Sequence, residues 1–101
     1  MIVRFAPRAE AKFAAVLVTI YEANPFASSD FLDEVDRATE RLSRYPRLGS
    51  YVREYPAMPL REAIVEPYRF FYIIDENTQT VWIVDVWHGA QVPTAPILPA
   101  T

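Results

Sequence analysis

The sequence predicts an α+β fold in which an antiparallel sheet packs against an N-terminal helical hairpin. Two observations lead to this prediction. The first half of the chain carries apolar residues at helical spacing between prolines, whereas the second half alternates apolar and aromatic residues over short runs. The predicted element order is β-α-α-β-β-β, with the helices covering one face of the sheet. At 101 residues the chain is expected to form a single domain over 1–91, followed by a proline-rich C-terminal tail over 92–101.

The helical hairpin is predicted from apolar stripes and proline punctuation. A short strand at 2–5 precedes the first helix, and Pro7 suits that helix's first turn. Asn24 ends the first helix because a residue before a proline avoids the helical region. The second helix is expected to be capped by a polar residue within 28–30, and Pro46 marks its end. Its predicted buried stripe consists of Phe31, Val35, Ala38 and Leu42.

The sheet is predicted from three alternating runs in the second half of the chain. Residues 50–59 indicate a loop or irregular edge because they contain two prolines. The runs "LREAIVEP", "YRFFYIID" and "TVWIVDVW" follow, and "DENT" forms the turn between the last two. Strict alternation in the last run places Trp82, Val84 and Val86 on one face and Val81, Ile83, Asp85 and Trp87 on the other.

Both faces of this last hairpin are therefore apolar, which is unusual for a sheet with helices on one side only. Two explanations are open. Either the tail and the 50–59 loop cover the second face, or a partner chain covers it. An exposed apolar patch of several hundred Å² is uncommon on a free monomer, so we expect Phe71, Tyr72, Trp82 and Trp87 to contact a partner if the second explanation holds.

Composition excludes several kinds of chemistry. The chain has no cysteine, so disulfides, thiolate catalysis and cysteine-ligated metals are ruled out, and two glycines do not make a phosphate-binding loop. No cofactor is predicted. No apolar run reaches the roughly 20 residues needed to span a membrane, and the N-terminus lacks signal-peptide character. A cytoplasmic protein without a membrane partner is the simplest interpretation.

The charge is unevenly distributed along the chain. The formal net charge is −3, but residues 37–69 contain seven arginines against four glutamates. This segment is either a solvated face with ordinary ion pairs or a basic patch for an acidic partner. Within it, Arg61 and Arg69 alternate with apolar residues. They either pair with a carboxylate of Glu62, Glu66 or Asp85, or bind an anion.

His88 is the only histidine, and it ends the last predicted strand. A lone histidine at a strand end is more often a turn or core residue than a catalyst. If a substrate comes near, however, it is the natural general acid or base at neutral pH.

Several segments together resemble the RelE/ParE superfamily of bacterial toxins. They are "FAPRAEAKF", the helix ending "RLSRYPRLGSYVRE", then "LREAIVEPYRFFYIID", and finally "VWIVDVWHGAQ", spanning roughly residues 3–91. The best marks are Pro7–Ala9, Leu42 with Tyr45, Pro46 and Gly49, Arg61, Pro67–Tyr72 and Val86–Ala90. The superfamily's β-α-α-β-β-β fold agrees with the order predicted above.

The resemblance implies the toxin of a type II toxin–antitoxin module, held inactive by a cognate antitoxin. RelE-like members are ribosome-dependent mRNA endonucleases, and ParE-like members poison DNA gyrase. If this chain is RelE-like, Arg61 and Arg69 are expected to clamp phosphate and His88 to act as the acid or base.

Three departures favour the ParE-like activity on DNA gyrase. Residues 70–101 contain no lysine or arginine, Gln91 stands where the superfamily commonly has arginine, and the whole chain is acidic. The alternative is an mRNA endonuclease acting on the ribosome. A second alternative is a non-toxic module that only binds its antitoxin.

Overall fold

A computed structural model describes residues 1–93 of the chain. The elements in chain order are β1 (Ile2–Phe5), α1 (Pro7–Ala23), α2 (Pro25–Arg44), β2 (Ser50–Tyr51), β3 (Arg61–Val65), β4 (Tyr68–Asp75) and β5 (Thr80–His88). The predicted α+β class is confirmed, and β2 is a two-residue strand that the predicted order lacks. The predicted tail over 92–101 lies outside the described residues from 94 onward.

The five strands form one mixed sheet in the order β1-β5-β4-β3-β2. The pairs formed among β2, β3, β4 and β5 are antiparallel, as predicted. The strand β1 instead runs parallel to β5, with Ile2 opposite Thr80 and Phe5 opposite Ile83. The prediction of a purely antiparallel sheet is therefore wrong for β1. Residue alternation carries no information about strand direction, and the long helical connection after β1 permits a parallel neighbour.

The helical hairpin turns at Asn24. This residue is extended, and its Oδ1 accepts hydrogen bonds from the backbone N–H groups of Phe26 (3.0 Å) and Ala27 (3.4 Å). Asn24 is thus the N-cap of α2, and the cap predicted within 28–30 is wrong. Pro25 moves the helix start forward because its fixed φ suits the first helical position, where no N–H partner is needed.

The helix-facing side of the sheet holds the larger core. The predicted stripe of α2 is buried at all four positions, Phe31, Val35, Ala38 and Leu42. An aromatic cluster joins helices to sheet, with the Phe13 ring 5.2 Å from that of Phe5 and 5.9 Å from that of Phe70. Such edge and offset contacts add to the area that the rings bury. This core fixes the helical hairpin across β3, β4 and β5.

A bulge in β5 changes the predicted faces of that strand. Phe71 lies opposite Asp85, but the next residue of β4, Tyr72, lies opposite Ile83, so Val84 has no partner. The extra residue shifts the alternation. Val84 and Val86, predicted on one face, consequently belong to separate cores, with Val86 on the helix-facing side.

Candidate functional site

The second face of the sheet is covered by residues 52–60, which we call the covering loop. A hydrogen bond from Val52 N to Leu60 O (2.9 Å) closes it. Both of these side chains are fully buried, and they pack with Phe71 and Val84 in a second core. The loop part of the first explanation is therefore confirmed, since residues 52–60 bury the centre of the second face. The part of the predicted tail from residue 94 onward lies outside the described residues.

This covering corrects the expectation for two of the four predicted partner residues. Phe71 and Tyr72 are both completely buried within the chain. Phe71 lies beneath the covering loop, and Tyr72 points into the helix-facing core. Neither side chain offers surface to a partner in the chain on its own, because the loop and the helices already occupy the space above them.

The other two predicted partner residues, Trp82 and Trp87, are only partly buried and lie at the margin of the second core. Trp82 lines an open groove of about 900 Å³ together with Arg4 and Ile73, next to the β4–β5 turn. Contact of a partner with either tryptophan stays a prediction.

Arg69 forms an ion-pair clamp between the sheet and the covering loop. Its guanidinium grips Glu54 of the loop in a bidentate manner, Nη1 to Oε2 at 2.7 Å and Nη2 to Oε1 at 2.9 Å. Its Nε donates to Glu62 of β3 at 2.9 Å, and Nη2 donates to the same carboxylate. These four bonds occupy four of the five N–H groups that an arginine has.

The clamp perturbs the acid–base behaviour of both partners. The hydrogen bonds from Arg69 lower the pKa of Glu54 from 4.5 to about 2, since they favour the carboxylate. The same bonds raise the pKa of Arg69 above its ordinary value. The arginine side chain is only 14% exposed, so its charge is satisfied inside the protein. The predicted pairing with Glu62 is present, and the pairing with Glu54 was not foreseen.

Arg61 is not paired with a carboxylate within the described part of the chain. Its Nη1 donates to the carbonyl oxygens of Gly49 (2.8 Å) and Arg47 (3.3 Å), and its Nη2 donates to the Tyr51 hydroxyl (3.2 Å). The guanidinium also lies 4.2 Å from the centre of the Tyr51 ring. Arg61 therefore ties the α2–β2 connection to β3 and keeps its charge unneutralised.

Tyr72 reinforces the same connection from inside. Its hydroxyl donates to Pro46 O (2.8 Å) and accepts from Gly49 N (2.9 Å). Burial raises the pKa of the Tyr72 phenol, so the group stays neutral and can fill both roles. Gly49 permits this approach, because a Cβ there would lie 2.6 Å from the hydroxyl and closer still to Glu62 O.

His88 lies at the end of β5, opposite Tyr68, whose ring it meets edge-on at 5.3 Å. Its Nδ1 accepts a hydrogen bond from Ala90 N at 3.0 Å, which leaves the proton of the neutral ring on Nε2. Gln91 closes the same turn, since its Oε1 accepts from His88 N at 3.0 Å. His88 is therefore built into a turn, and a shallow groove of about 210 Å³ separates it from α1.

The three residues predicted for RNA cleavage do not meet. Arg69 is on the second face, with its guanidinium over the Phe71 ring, whereas His88 packs on Tyr68 at the helix-facing core. Arg61 lies opposite Tyr72, four positions along β4 from Tyr68, the partner of His88. Four residues of a strand span about 13 Å. The fold thus places these three side chains in separate environments.

Sequence reasoning missed a buried ion pair between β5 and α1. Asp85 is fully buried, and its Oδ1 lies 2.7 Å from Lys12 Nζ of α1. Arg8 Nε is 3.9 Å from the other carboxylate oxygen, which has no hydrogen-bond partner. Lys12 also lies 3.6 Å from the centre of the Trp87 ring. The available signal was Asp85 itself, because a single acid inside an apolar strand requires a cation nearby. The sequence does not show that α1 supplies this cation.

The described residues hold no group of three or more histidine, cysteine, aspartate or glutamate side chains placed to bind a metal ion. Over the same part of the chain, no helix combines the length and apolarity required to cross a bilayer.

Comparisons with known proteins agree with this fold. Residues 3–93 match the family described as "ParE toxin of type II toxin-antitoxin system, parDE". A solved structure, the toxin–antitoxin complex RelBE2 from Mycobacterium tuberculosis, contains a chain that is 30% identical with a TM-score of 0.58. The match covers 86% of this chain and 95% of that one. No protein among those with curated descriptions matches significantly.

The fold and these matches define a toxin of the RelE/ParE superfamily, which confirms the predicted resemblance. More narrowly, the chain belongs to the ParE toxin family of type II toxin–antitoxin systems.

Proposed function

We propose that this chain is the toxin of a type II toxin–antitoxin module, that a cognate antitoxin neutralises it, and that it acts on DNA gyrase by binding. Membership of the ParE toxin family supports the toxin role. The similarity to a chain of a toxin–antitoxin complex supports an antitoxin partner. Both the toxin and its proposed target belong in the bacterial cytoplasm, which is the location we propose.

The observation that carries the choice of a binding mechanism is the dispersal of Arg61, Arg69 and His88. Cleavage of RNA through the ribose 2′-hydroxyl needs an acid–base group and a phosphate clamp around one phosphodiester. Here Arg69 has four of five N–H groups committed to Glu54 and Glu62. A phosphate would have to displace two carboxylates to reach it.

The charge distribution supports the same choice. Beyond Arg69 the described chain contains no lysine or arginine. Its charged side chains there are the acids Asp75, Glu76 and Asp85. The groove beside His88 contains one lysine, Lys12, and that side chain is paired with Asp85. This end of the sheet therefore offers little free positive charge for a phosphate backbone, whose neutralisation dominates nucleic-acid affinity.

One observation favours the second candidate, an mRNA endonuclease. The similar chain of known structure belongs to the toxin–antitoxin complex RelBE2. If this chain cleaves RNA with Arg69 bound to the phosphate, the bonds from Arg69 to Glu54 and Glu62 have to break when the chain binds the ribosome. That requirement makes the two candidates separable by experiment.

The decisive experiment is brief induction of this chain alone in bacteria, followed by separate pulses of labelled thymidine and methionine. The proposal expects thymidine incorporation to fall first, because blocked gyrase stops replication. Earlier loss of methionine incorporation would identify the endonuclease. If neither pulse falls, the chain is a non-toxic antitoxin-binding module.

A variant pair sharpens this experiment. His88→Ala and Arg61→Ala are expected to leave growth arrest within about twofold of the unchanged chain, since neither residue acts chemically under the binding mechanism. Soluble expression and circular dichroism control for folding. Loss of arrest by more than about tenfold in a folded His88→Ala variant would restore the catalytic interpretation.

A further inference from the structure

An exposed groove, separate from the one beside Trp82, lies at the edge of the sheet next to the C-terminal end of α2. It has a volume of about 270 Å³ and opens between the C-terminal half of α2 and strands β2 and β3. Its lining includes Arg41, Leu48 and Ile64. We call this the edge groove. Its floor reaches solvent because β2 pairs only with Arg61 and Glu62, leaving the rest of β3 without a strand on that side.

The edge groove exposes unusually large apolar side chains. Leu48 is 61% exposed and Ile64 is 50% exposed, and the neighbouring Tyr51 is 59% exposed. Aromatic side chains and arginine are enriched in the centre of protein interfaces, and the exposed Leu48 and Ile64 add apolar surface beside them. Scattered exposed apolar residues need no explanation, but Leu48 and Ile64 line one groove with Arg41. Arg61 and Tyr51 lie beside it, since Arg61 donates to Gly49 O in the lining and to the Tyr51 hydroxyl.

The charge at this rim is positive and uncompensated. Of the seven arginines in 37–69, Arg44, Arg47 and Arg69 have carboxylate partners. Arg41, which lines the groove, and Arg61, which lies beside it, have none among the described residues, although Arg61 donates to backbone carbonyls. Glu62, the acid that lines the groove, is held by Arg69. The groove therefore suits an occupant with acidic groups.

We propose that the edge groove docks a segment of the antitoxin in which acidic and aliphatic side chains alternate. Its carboxylates pair with Arg41 and Arg61, and its aliphatic groups cover Leu48 and Ile64. This inference rests on the proposed antitoxin partnership and names the surface and the chemistry that serve it. A nucleic acid fits less well, since aliphatic side chains give no stacking platform for bases.

The test measures binding of this chain to the protein encoded by the neighbouring reading frame, purified separately. Arg41→Glu and Ile64→Ser are the test variants. Arg37→Glu is the matched charge control, because it is exposed on the same helix but does not line the groove. Ile2→Ser is the matched apolar control, because Ile2 is 58% exposed on the opposite edge strand. Circular dichroism checks that all four variants are folded.

The expected result is a Kd weakened by about tenfold or more in each test variant, with changes below about twofold in the controls. A short labelled peptide alternating leucine and glutamate should also bind, and a leucine–lysine peptide should not. The Arg41→Glu variant should in addition show a shallower salt dependence.

The outcomes separate the two proposals. If the unchanged chain binds the neighbouring protein but test and control variants behave alike, the edge groove is overturned and the antitoxin partnership stands. If the unchanged chain does not bind that protein, both are overturned. If Arg41→Glu instead abolishes binding of a short RNA and leaves protein binding intact, the surface serves nucleic acid and the inference fails.

Discussion

The two faces of the sheet are buried in different ways. The helix-facing side is covered by α1 and α2, which contribute a continuous set of aliphatic and aromatic side chains. The second side is covered by nine loop residues, of which only Val52 and Leu60 are fully buried. The comparison shows that a loop can cover one face of a sheet in place of a layer of helices. It does so with few buried apolar side chains when hydrogen bonds and ion pairs also hold the loop to the sheet.

Two polar ties hold adjacent residues of the covering loop, Glu54 and Tyr55. Arg69 holds Glu54 to the sheet, and the Tyr55 hydroxyl donates to Pro93 O at 2.6 Å. Pro56 and Pro59 restrict the unfolded loop, which lowers the entropy lost on ordering it. By contrast, α1 is tied to β5 through one deeply buried carboxylate, Asp85. We therefore expect perturbations of the helix side to be larger than perturbations of the loop side.

The largest effect is expected for Lys12→Met. This change leaves the fully buried Asp85 carboxylate without its closest cation, and removing one partner of a buried pair costs about 3 kcal/mol or more. Urea denaturation followed by circular dichroism measures the loss of free energy of unfolding.

The double variant Lys12→Met with Asp85→Asn serves as its control. Because the buried charge is gone, the double variant should regain most of the loss. A cost below about 1 kcal/mol for Lys12→Met alone would mean that Arg8 or solvent compensates, and the pair would rank with exposed ion pairs.

Much of this architecture was predictable because the signals were local. The buried stripe of α2 follows from helical spacing, and the strands follow from alternation, so both were predicted at the residue level. The parallel placement of β1 and the bulge at Val84 were not, since neither leaves a mark in a single sequence. The start of α2 was missed because Asn24 ends one helix and caps the next.

The candidate site was less predictable for a related reason. Whether Arg61, Arg69 and His88 converge depends on which face and which end of the sheet each occupies. Alternation gives the face along one strand, but the separation of Arg61 from His88 depends on the pairing register of three strands. The clamp on Glu54 depends on the path of the covering loop, which contains no periodic pattern.

The next effect in size is expected for Gly49→Ala, which tests the tie between the helix side and the sheet edge. A Cβ at this position would collide with Glu62 O and lie 2.6 Å from the Tyr72 hydroxyl. The surrounding atoms have to shift to make room for the added methyl group, which lowers the free energy of unfolding by about 2 kcal/mol. The chain offers its own control in Gly89→Ala, where the nearest atom, Pro67 O, is 3.2 Å away.

Thermal denaturation of both glycine variants should therefore show a clear drop in Tm for Gly49→Ala and a small one for Gly89→Ala. Equal drops would mean that the Tyr72 hydroxyl can move away from Gly49 at little cost. The hydrogen bonds of Tyr72 would then hold the sheet edge less rigidly than their distances indicate.

The smallest of the three effects is expected for Glu54→Gln, which loosens the covering loop. Because the pKa of Glu54 is about 2 in the folded chain against 4.5 ordinarily, its carboxylate contributes stability that is fully present above pH 4.5. That contribution is lost as the pH falls through 2. Glu54 is 37% exposed, so solvent screening reduces it to about 1 kcal/mol.

Urea denaturation at a series of pH values compares Glu54→Gln with the unchanged chain. The two stabilities should differ by about 1 kcal/mol at neutral pH and converge progressively as the pH falls from 4.5 through 2, where the carboxylate of the folded chain becomes protonated. Glu40→Gln is the control, because Glu40 pairs with Arg44 on the exposed face of α2 and should change stability by only a few tenths of a kcal/mol. A pH-independent difference for Glu54→Gln would show that the side-chain shape, rather than the ion pair with Arg69, holds the loop. The second face would then be closed by the packing of the covering loop, and the helix-facing side would be the one that depends on an ion pair.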